Sequence, residues 1–158
     1  MKEIPLTQGK ISLVDDEDYE RLNQFKWYPN WNGYTWYAKR ANLRINGKQK
    51  QVYIHRVIMN TPKGIQVDHR NGNGLDNRKA NLRLCTHQEN QFNKKYAQKN
   101  NKLGIKGVCW REDMKKFHAQ IWVNSKRIHL GYFNVMGDAD GAYRTAEEKY
   151  FGKFARTA

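Results

Sequence analysis

The sequence contains the stretch Val67-Asp68-His69-Arg70-Asn71-Gly72-Asn73-Gly74-Leu75-Asp76-Asn77-Arg78-Lys79-Ala80-Asn81-Leu82-Arg83. These seventeen residues include two aspartates, one histidine and four asparagines. Each of these polar groups would need a hydrogen-bond partner if it were buried, so the stretch is poor material for an apolar core. It suits a loop that carries a functional site.

Short regular elements are predicted on both sides of this polar stretch. Residues 65–67 read as a short strand that leads into it, and residues 82–86 read as a second strand. Thr86 can cap a helix that begins at His87, with Glu89 at the third position as in a capping box. The pattern therefore predicts a strand, a polar loop, a second strand and a helix.

The polar stretch has the groups needed to hold a divalent cation and a proton-accepting histidine against a phosphate. His69 has a side chain of suitable unperturbed pKa, and Asp68 offers the hard, charged oxygen that Mg²⁺ or Mn²⁺ prefers. Neighbours on a strand point to opposite faces, so both serve one site only if the strand ends there. Asn81 could orient the imidazole of His69 or bridge the loop. Asn90, on the predicted helix, could provide a second oxygen ligand for the cation.

Other polar residues have simpler interpretations. Asn73 and Asn77 are expected to shape the loop through side-chain bonds to the backbone. His55 is expected to pack beside the site. His118 and His129 alternate with apolar residues and are expected to face solvent or DNA.

The overall charge predicts a polyanionic partner. The chain has 29 basic and 15 acidic residues, a formal net charge of +14 and a pI near 9.8. This balance favours nucleic acid, with an anionic membrane surface as the alternative. No apolar run approaches the length that spans a bilayer, and the N-terminus lacks the apolar core of a signal peptide. We expect a cytoplasmic protein, a monomer or weak dimer, without a small-molecule substrate.

Two cysteines, Cys85 and Cys109, form no CxxC pair. This spacing excludes a cysteine zinc ribbon. In a reducing compartment two free thiols are expected.

Patterns before the polar stretch predict a mixed N-terminal part. Residues 4–14 read as short strands around a Gln8-Gly9 turn, and a short helix is expected to carry Tyr19, Leu22 and Phe25 on one face. Residues 34–40 read as a strand. Asn46-Gly47 is a strong hairpin signal, and residues 54–60 read as one or two helical turns.

The C-terminal part has its own pattern. Residues 93–104 are polar and basic and read as a helix end plus linker. Residues 107–111, 117–123 and 127–133 read as three strands, and residues 138–150 as a helix. The helix places these residues on one stripe: Ala139, Ala142, Tyr143, Ala146 and Tyr150. Gly152 can terminate it.

The region from Lys94 to Arg127 has ten basic residues against only Glu112 and Asp113. Trp110, Phe117 and Trp122 are interleaved with them. This combination favours nucleic-acid binding. The expected DNA-binding residues are Lys106, Trp110, Arg111, Lys115, Lys116, Gln120, Trp122, Lys126 and Arg127.

Two family resemblances follow from these motifs. The first resemblance is to the HNH endonuclease family, in the version common in phage and intron-encoded homing nucleases. It is carried by residues 54–59 and 62–64, Val67-Asp68-His69, Asn77-Arg78 and Asn81-Leu82-Arg83. Residues 105–154 resemble the Apetala/ethylene-response-factor DNA-binding domain. That second resemblance is carried by Gly104-Ile105-Lys106-Gly107-Val108, by Leu130-Gly131-Tyr132-Phe133 and by the alanine-rich helix.

The HNH resemblance implies a ββα-metal finger that cuts DNA. On this pattern His69 is the general base and Asp68 a metal ligand. Asn81 orients the histidine, and Asn90 is the second metal ligand, which suits Mg²⁺ or Mn²⁺. In the C-terminal resemblance the three-stranded sheet reads a DNA groove. The plant members of this second family carry Arg at several positions where this chain has other residues, including Cys109 and Trp122. We therefore do not expect this chain to have the base preference of the plant domains.

We therefore expect an α+β protein with three parts. An HNH nuclease domain spans residues 1–92, and a basic linker spans residues 93–104. Residues 105–158 form a DNA-binding domain of three antiparallel strands packed on one helix. The expected function is metal-dependent cleavage of double-stranded DNA, and the resemblance implies a protein associated with nucleoid or phage DNA. The alternatives are a DNA-binding regulator without cleavage and a basic RNA-binding or ribosome-associated protein.

Overall fold

The computed structural model of the protein describes residues 1–45, 48–93, 97 and 101–155. It is an α+β structure with several small antiparallel sheets, which confirms the predicted class. The chain forms two compact units, Met1–Asn90 and Gln91–Ala158. The predicted Asn46-Gly47 turn and residues 94–96 and 98–100 of the predicted linker lie outside the described residues. No helix formed by the described residues is both long enough and apolar enough to cross a membrane.

The first unit begins with a hairpin and a helix and continues with two further sheets. Strands β1 and β2 pair antiparallel around the predicted turn at Gln8-Gly9, and β3, β4 and β5 form a sheet in that order. Strands β6 and β7 form a separate hairpin that α3 follows. The elements are β1 Lys2–Pro5, β2 Ile11–Val14, α1 Asp16–Asn23, β3 Tyr28–Trp31, β4 Trp36–Ile45, β5 Lys48–Tyr53, α2 Ile54–Ile58, β6 Gln66–His69, β7 Leu82–Cys85 and α3 His87–Phe92.

The core of this unit is built around Trp27, whose side chain is almost fully buried. Its indole Nε1 donates a hydrogen bond of 2.8 Å to the carbonyl oxygen of Leu22, which satisfies the one polar group of the ring. Of the face predicted for α1, Leu22 is buried and Tyr19 packs against the core. Phe25 lies beyond the helix, which ends at Asn23, and it remains 43% exposed beside Trp27. The helix therefore ends two residues before Phe25, the last residue predicted for that face.

The capping box predicted before α3 is present. The Thr86 hydroxyl accepts a hydrogen bond from the Glu89 backbone N–H, and the Glu89 carboxylate accepts one from the Thr86 N–H at 2.7 Å. These two bonds satisfy donors that a helix start otherwise leaves unpaired. The helix therefore begins at a defined residue directly after β7.

The second unit is a three-stranded antiparallel sheet packed on one helix. Its elements are β8 Val108–Arg111, β9 Lys116–Val123, β10 Lys126–Phe133 and α4 Met136–Phe151, and the strand order is β10-β9-β8. Ala139, Tyr143 and Ala146 are buried against the sheet, as the predicted stripe requires. Tyr150 is exposed, and Phe151 takes the buried position at the helix end instead. Gly152 follows as the predicted terminator, with a φ of 48°.

Gly107 explains how closely the helix approaches this sheet. A Cβ atom at this position would lie 2.1 Å from ring carbons of Tyr143 and 2.6 Å from the carbonyl oxygen of Gln120. The backbone also has a positive φ of 73° there. Both features favour glycine at this position, so packing in this unit accounts for Gly107.

Candidate functional site

The β6–β7 hairpin positions the polar stretch. His69 pairs with Leu82 and Asp68 with Arg83, and β6 ends at His69. The carbonyl of His69 accepts a hydrogen bond from the Gly72 N–H, so the chain turns directly after the histidine. Asp68 and His69 are therefore the last two residues of the strand, at the mouth of the loop.

The loop holds itself together through its own asparagines. The Asn81 carboxamide accepts a bond of 3.0 Å from the Asn71 N–H and donates one of 2.7 Å to the Asp76 carbonyl. The Asp76 carboxylate pairs with Arg78 at 2.7 Å and accepts a bond from the Asn71 side chain. Of the two roles considered for Asn81, these contacts correspond to bridging the loop.

Strand β2 fastens this loop from outside. The Leu13 N–H donates to the Leu75 carbonyl at 2.9 Å, and the Leu13 carbonyl accepts from the Asn77 N–H at 2.8 Å. The Asp15 carboxylate accepts a bond of 2.7 Å from the Lys79 N–H. The first hairpin of the chain thus supports a loop that lies more than sixty residues later in the sequence.

Asn77 provides the bond to His69. Its side chain is fully buried, and its Oδ1 lies 3.1 Å from His69 Nε2. Its Nδ2 donates a bond of 2.8 Å to the hydroxyl oxygen of Ser12, whose hydroxyl donates in turn to the Leu75 carbonyl at 3.2 Å. The sequence predicts only a loop-shaping role for Asn77 and indicates no role for Ser12. A serine that alternates with Val14 on the inward face of β2 was the available signal.

This chain of bonds determines which nitrogen of His69 carries the proton. A carbonyl can only accept, so Ser12 uses its single hydroxyl hydrogen on Leu75 and must accept from Asn77. The Asn77 carbonyl oxygen then faces the imidazole and accepts from it. His69 Nε2 is therefore the protonated nitrogen, and Nδ1 carries the lone pair.

The surroundings of His69 keep its ring neutral. The ring is 4% exposed, and its centroid lies 5.2 Å from that of His55 and 5.6 Å from that of Tyr37. Burial lowers the pKa of His69, although the hydrogen bond to Asn77 and the carboxylates of Asp68 and Asp76 oppose this shift. Burial, with smaller electrostatic contributions from His69 and Arg56, lowers the pKa of His55 to about 3. His55 thus packs beside the site, as expected, and is uncharged at neutral pH.

Asp68 and Asn90, the expected metal ligands, lie on one side of the hairpin. Arg83 binds Asp68 Oδ2 through Nε at 2.7 Å and Nη2 at 2.6 Å, and both side chains are buried. Asn90 Nδ2 donates a bond of 2.8 Å to Gln66 Oε1. Gln66 shares its strand face with Asp68, because residues two apart point the same way.

The oxygen donors of this site are few. Within the described ranges there is no group of three or more histidine, cysteine, aspartate or glutamate side chains that could hold a metal ion. The available donors are one carboxylate and one carboxamide, which are hard oxygen ligands. Such a set fits Mg²⁺ or Mn²⁺, which keep several waters and need few protein ligands.

The expected DNA-binding residues of the second unit divide between the two sheet faces. The register pairs Arg111 with Lys116 and Arg127 with Trp122. With Gln120 these residues form the face opposite α4, together with His118 and His129. His129 is exposed as expected, but His118 is buried, because its ring stacks on His129 and Tyr132 and its Nε2 lies 2.8 Å from His129 Nδ1. We call this surface the open face: Arg111, Lys116, His118, Gln120, Trp122, Arg127 and His129.

Four expected residues lie elsewhere. Trp110 is on the helix side, where its ring packs edge-on against Phe117 at 4.8 Å. Lys126 pairs with Val123 on that same side. Lys106 donates to Glu147 and to the Phe92 carbonyl, and Lys115 pairs with Glu112 in the β8–β9 turn.

We predict that the hydroxyl of Ser12 controls the tautomer of His69. Ser12→Ala removes the group that orients the Asn77 carboxamide, so His69 should become a mixture of both neutral tautomers. Leaving the buried Asn77 N–H unpaired should also cost about 1–3 kcal/mol of stability. Ser12→Thr keeps the hydroxyl and should behave like the unmodified chain.

Long-range proton–nitrogen correlation spectra of the imidazole report the tautomer directly. The unmodified chain should show a protonated Nε2. If Ser12→Ala kept only the tautomer protonated at Nε2, or if the unmodified protein were protonated at Nδ1, the hydrogen bonds from Ser12 through Asn77 would not determine the tautomer of His69.

Comparison with known proteins adds independent information. A family model described as HNH endonuclease matches residues 52–92, which include β6, the polar loop, β7 and α3. The chain is 27% identical over 150 residues to "Uncharacterized HNH endonuclease L560" of Acanthamoeba polyphaga mimivirus, covering 94% of this chain and 74% of that protein. It is 33% identical over 95 residues to "Protein 3.8" of Escherichia phage T7, covering 60% of this chain and 77% of that protein. No solved structure matches the chain.

Proposed function

Because the chain belongs to the HNH endonuclease family, we propose that it cuts double-stranded DNA by hydrolysing phosphodiester bonds with the help of a bound divalent cation. The observation that carries this proposal is the placement of His69. It is buried, neutral and held through Nε2 at the end of β6, beside Asp68. A general base needs this combination of a fixed ring and an unprotonated nitrogen.

In this proposal His69 takes a proton from the attacking water. Its Nδ1 accepts the proton, and Asn77 holds the ring by accepting the Nε2 hydrogen. The positive charge that then forms on the ring is favoured by the nearby carboxylates of Asp68 and Asp76, which act on His69 electrostatically. Asn81 supports the step indirectly, since its bonds keep the loop closed.

Asp68 and Asn90 are the residues we assign to the cation, Mg²⁺ or Mn²⁺. When bound, the cation supplies a Lewis acid for the phosphate and stabilises the leaving oxygen. Arg83 orients the Asp68 carboxylate, and Gln66 orients the Asn90 carboxamide. These bonds place the two side chains on one side of β6 before a ligand arrives.

The second unit is proposed to bind DNA through its open face, as in the ethylene-response-factor-like domains. Lys116 and Arg127 can neutralise phosphates, Arg111 can do so by exchanging its ion pair with Asp113, and Trp122 is 58% exposed among them. Counterion release from DNA would make this affinity fall steeply with salt. The viral origin of both relatives supports a homing-type enzyme of a phage or another mobile element.

We predict that His69→Ala abolishes cleavage while DNA affinity stays near that of the unmodified chain. The histidine acts on the attacking water, so its loss should lower the chemical rate by about 10²–10⁴-fold. Incubation of supercoiled plasmid with Mg²⁺, followed by the nicked and linear products, measures this. A variant with more than half the original rate would remove His69 from the mechanism. An unmodified chain that binds plasmid but never cuts it would be a DNA-binding regulator instead.

We predict that Asp68→Ala loses both cleavage and stability, for separable reasons. Removing the carboxylate breaks the buried ion pair with Arg83, which should cost about 3–5 kcal/mol. Asp68→Ala combined with Arg83→Leu removes both charges and should recover much of that loss without recovering cleavage. Denaturant unfolding and plasmid cleavage measure the two effects. Cleavage by the double variant, or undiminished cleavage by the unmodified chain after exhaustive chelation with EDTA, would contradict the metal-ligand role.

We predict that two neighbouring basic residues differ in their effect on DNA binding. Arg127 lies on the open face, so Arg127→Ala should weaken binding by about 1–3 kcal/mol. Lys126→Ala is the matched control, because Lys126 lies on the opposite side of the same strand. Fluorescence anisotropy with labelled duplex over a series of salt concentrations gives both affinity and salt dependence. Equal losses in the two variants would mean that the open face is not the DNA-binding surface.

A further inference from the structure

One face of the β3-β4-β5 sheet carries tyrosine and lysine side chains in two rows. Tyr28, Lys39 and Tyr53 are aligned across the three strands, and Asn30 and Tyr37 are aligned in the next row. We call these five residues the tyrosine face. All five are partly exposed, whereas Pro29 and Ala38 on the other side of the sheet are buried.

The tyrosine face ends at the candidate catalytic histidine. The ring centroid of Tyr37 lies 5.6 Å from that of His69, 5.4 Å from that of His55 and 6.2 Å from that of Tyr53. The polar loop touches the same ring, because a Cβ atom on Gly74 would lie 2.7 Å from Tyr37 ring carbons. A polymer bound with one phosphate at His69 would therefore lie next to this surface.

Lys39 gives the tyrosine face a positive charge. Its Nζ lies 5.6 Å from the centroid of the Tyr28 ring. Among the ion pairs formed between described residues, none includes Lys39. Lys2 is a useful contrast, since its Nζ lies over the Tyr19 ring and also pairs with Glu20. The charge of Lys39 is thus held in place by an aromatic ring without a carboxylate to neutralise it.

The tyrosine rings themselves are occupied by neighbouring side chains. Lys39 covers the ring of Tyr28, and the Tyr53 ring stacks on His55 at an interplanar angle of 24°. The Tyr28 hydroxyl donates to Gln51 at 2.8 Å, which fixes that ring further. Bases would find few open ring faces for stacking here. The surface instead presents an ammonium group and a hydroxyl, which are typical phosphate-binding groups.

We propose that the tyrosine face holds the sugar–phosphate backbone of the strand being cut, on one side of the scissile phosphate. This inference rests on the proposed nuclease function. Lys39 lies two residues beyond Tyr37 on β4, a distance of about 7 Å. Successive phosphates of one strand are about 3.4 Å apart along the helix axis and farther apart along the strand itself. Lys39 therefore neutralises a phosphate close to the cut, within about two nucleotides of it, and the Tyr53 hydroxyl donates to an oxygen of the same backbone.

This assignment separates two kinds of DNA contact. Contacts on the tyrosine face position the cleaved strand within the unit that carries His69. They carry no base information, because phosphate groups are alike at every nucleotide. Loss of Lys39 should therefore weaken cleavage at all sites equally, without changing which sites are preferred.

The first test compares Lys39→Ala with Lys2→Ala in the full chain. Lys39→Ala should raise KM by roughly fivefold to tenfold, leave kcat within about twofold, and reduce the salt slope of binding by about one unit. Lys2→Ala removes a lysine that also lies over a tyrosine but already has a carboxylate partner, so it should leave all three quantities unchanged. Unfolding curves confirm that both variants are folded.

The second test uses duplexes in which single phosphates near the cut are replaced by neutral methylphosphonates. The unmodified chain should lose affinity when one particular phosphate within about two nucleotides of the cut is neutralised, and Lys39→Ala should be insensitive at that position. An unchanged KM and salt slope in Lys39→Ala, or an unchanged methylphosphonate sensitivity, would overturn the tyrosine face as a strand-binding surface. Failure of the unmodified chain to cut any DNA would overturn the proposed function instead, so the two failures are distinguishable.

Discussion

The buried hydrogen bond between Ser12 and Asn77 is the constraint on which the rest of the candidate site depends. It joins residues 65 positions apart and connects the first hairpin of the chain to the polar loop. Through Asn77 it reaches His69, and through Ser12 it ends at a backbone carbonyl that can only accept. A polar loop that would be poor core material is thereby made compatible with burial, because its inward-facing groups are paired. The same bonds orient the imidazole, so the stability of the loop and the chemistry of the site have one origin.

Burial has a second consequence, which concerns charge. Asp68 and Arg83 are both buried in the β6–β7 hairpin, and each is tolerated there because the other is present. Burial also keeps the rings of His55 and His69 neutral. A proton-accepting histidine and an oriented carboxylate therefore occupy adjacent positions at the end of β6, and both are buried. In such surroundings a bound cation and a phosphate interact more strongly than in water.

The two units carry basic and aromatic side chains in different arrangements. In the second unit they lie on the open face of a sheet, with an exposed tryptophan among arginines and lysines. In the first unit they form the tyrosine face, where the rings are covered and an ammonium group is presented. Exposed rings and fork-shaped guanidinium groups suit base contacts, whereas a lysine held over a ring suits a phosphate. The two arrangements therefore suit different contacts with DNA, to bases in the second unit and to phosphates in the first.

The sequence by itself determined what depends on neighbouring residues. The strands around the polar stretch, the capping box at Thr86 and Glu89, and the α+β class follow from local periodicity and capping, and all are present. The basic composition likewise needs no structure. Only the tertiary structure decided that Asn77 rather than Asn81 bonds His69, that Trp110 lies on the helix side, and that a tyrosine face adjoins the site. These features depend on strand register and on contacts between segments far apart in the chain, which local patterns do not encode.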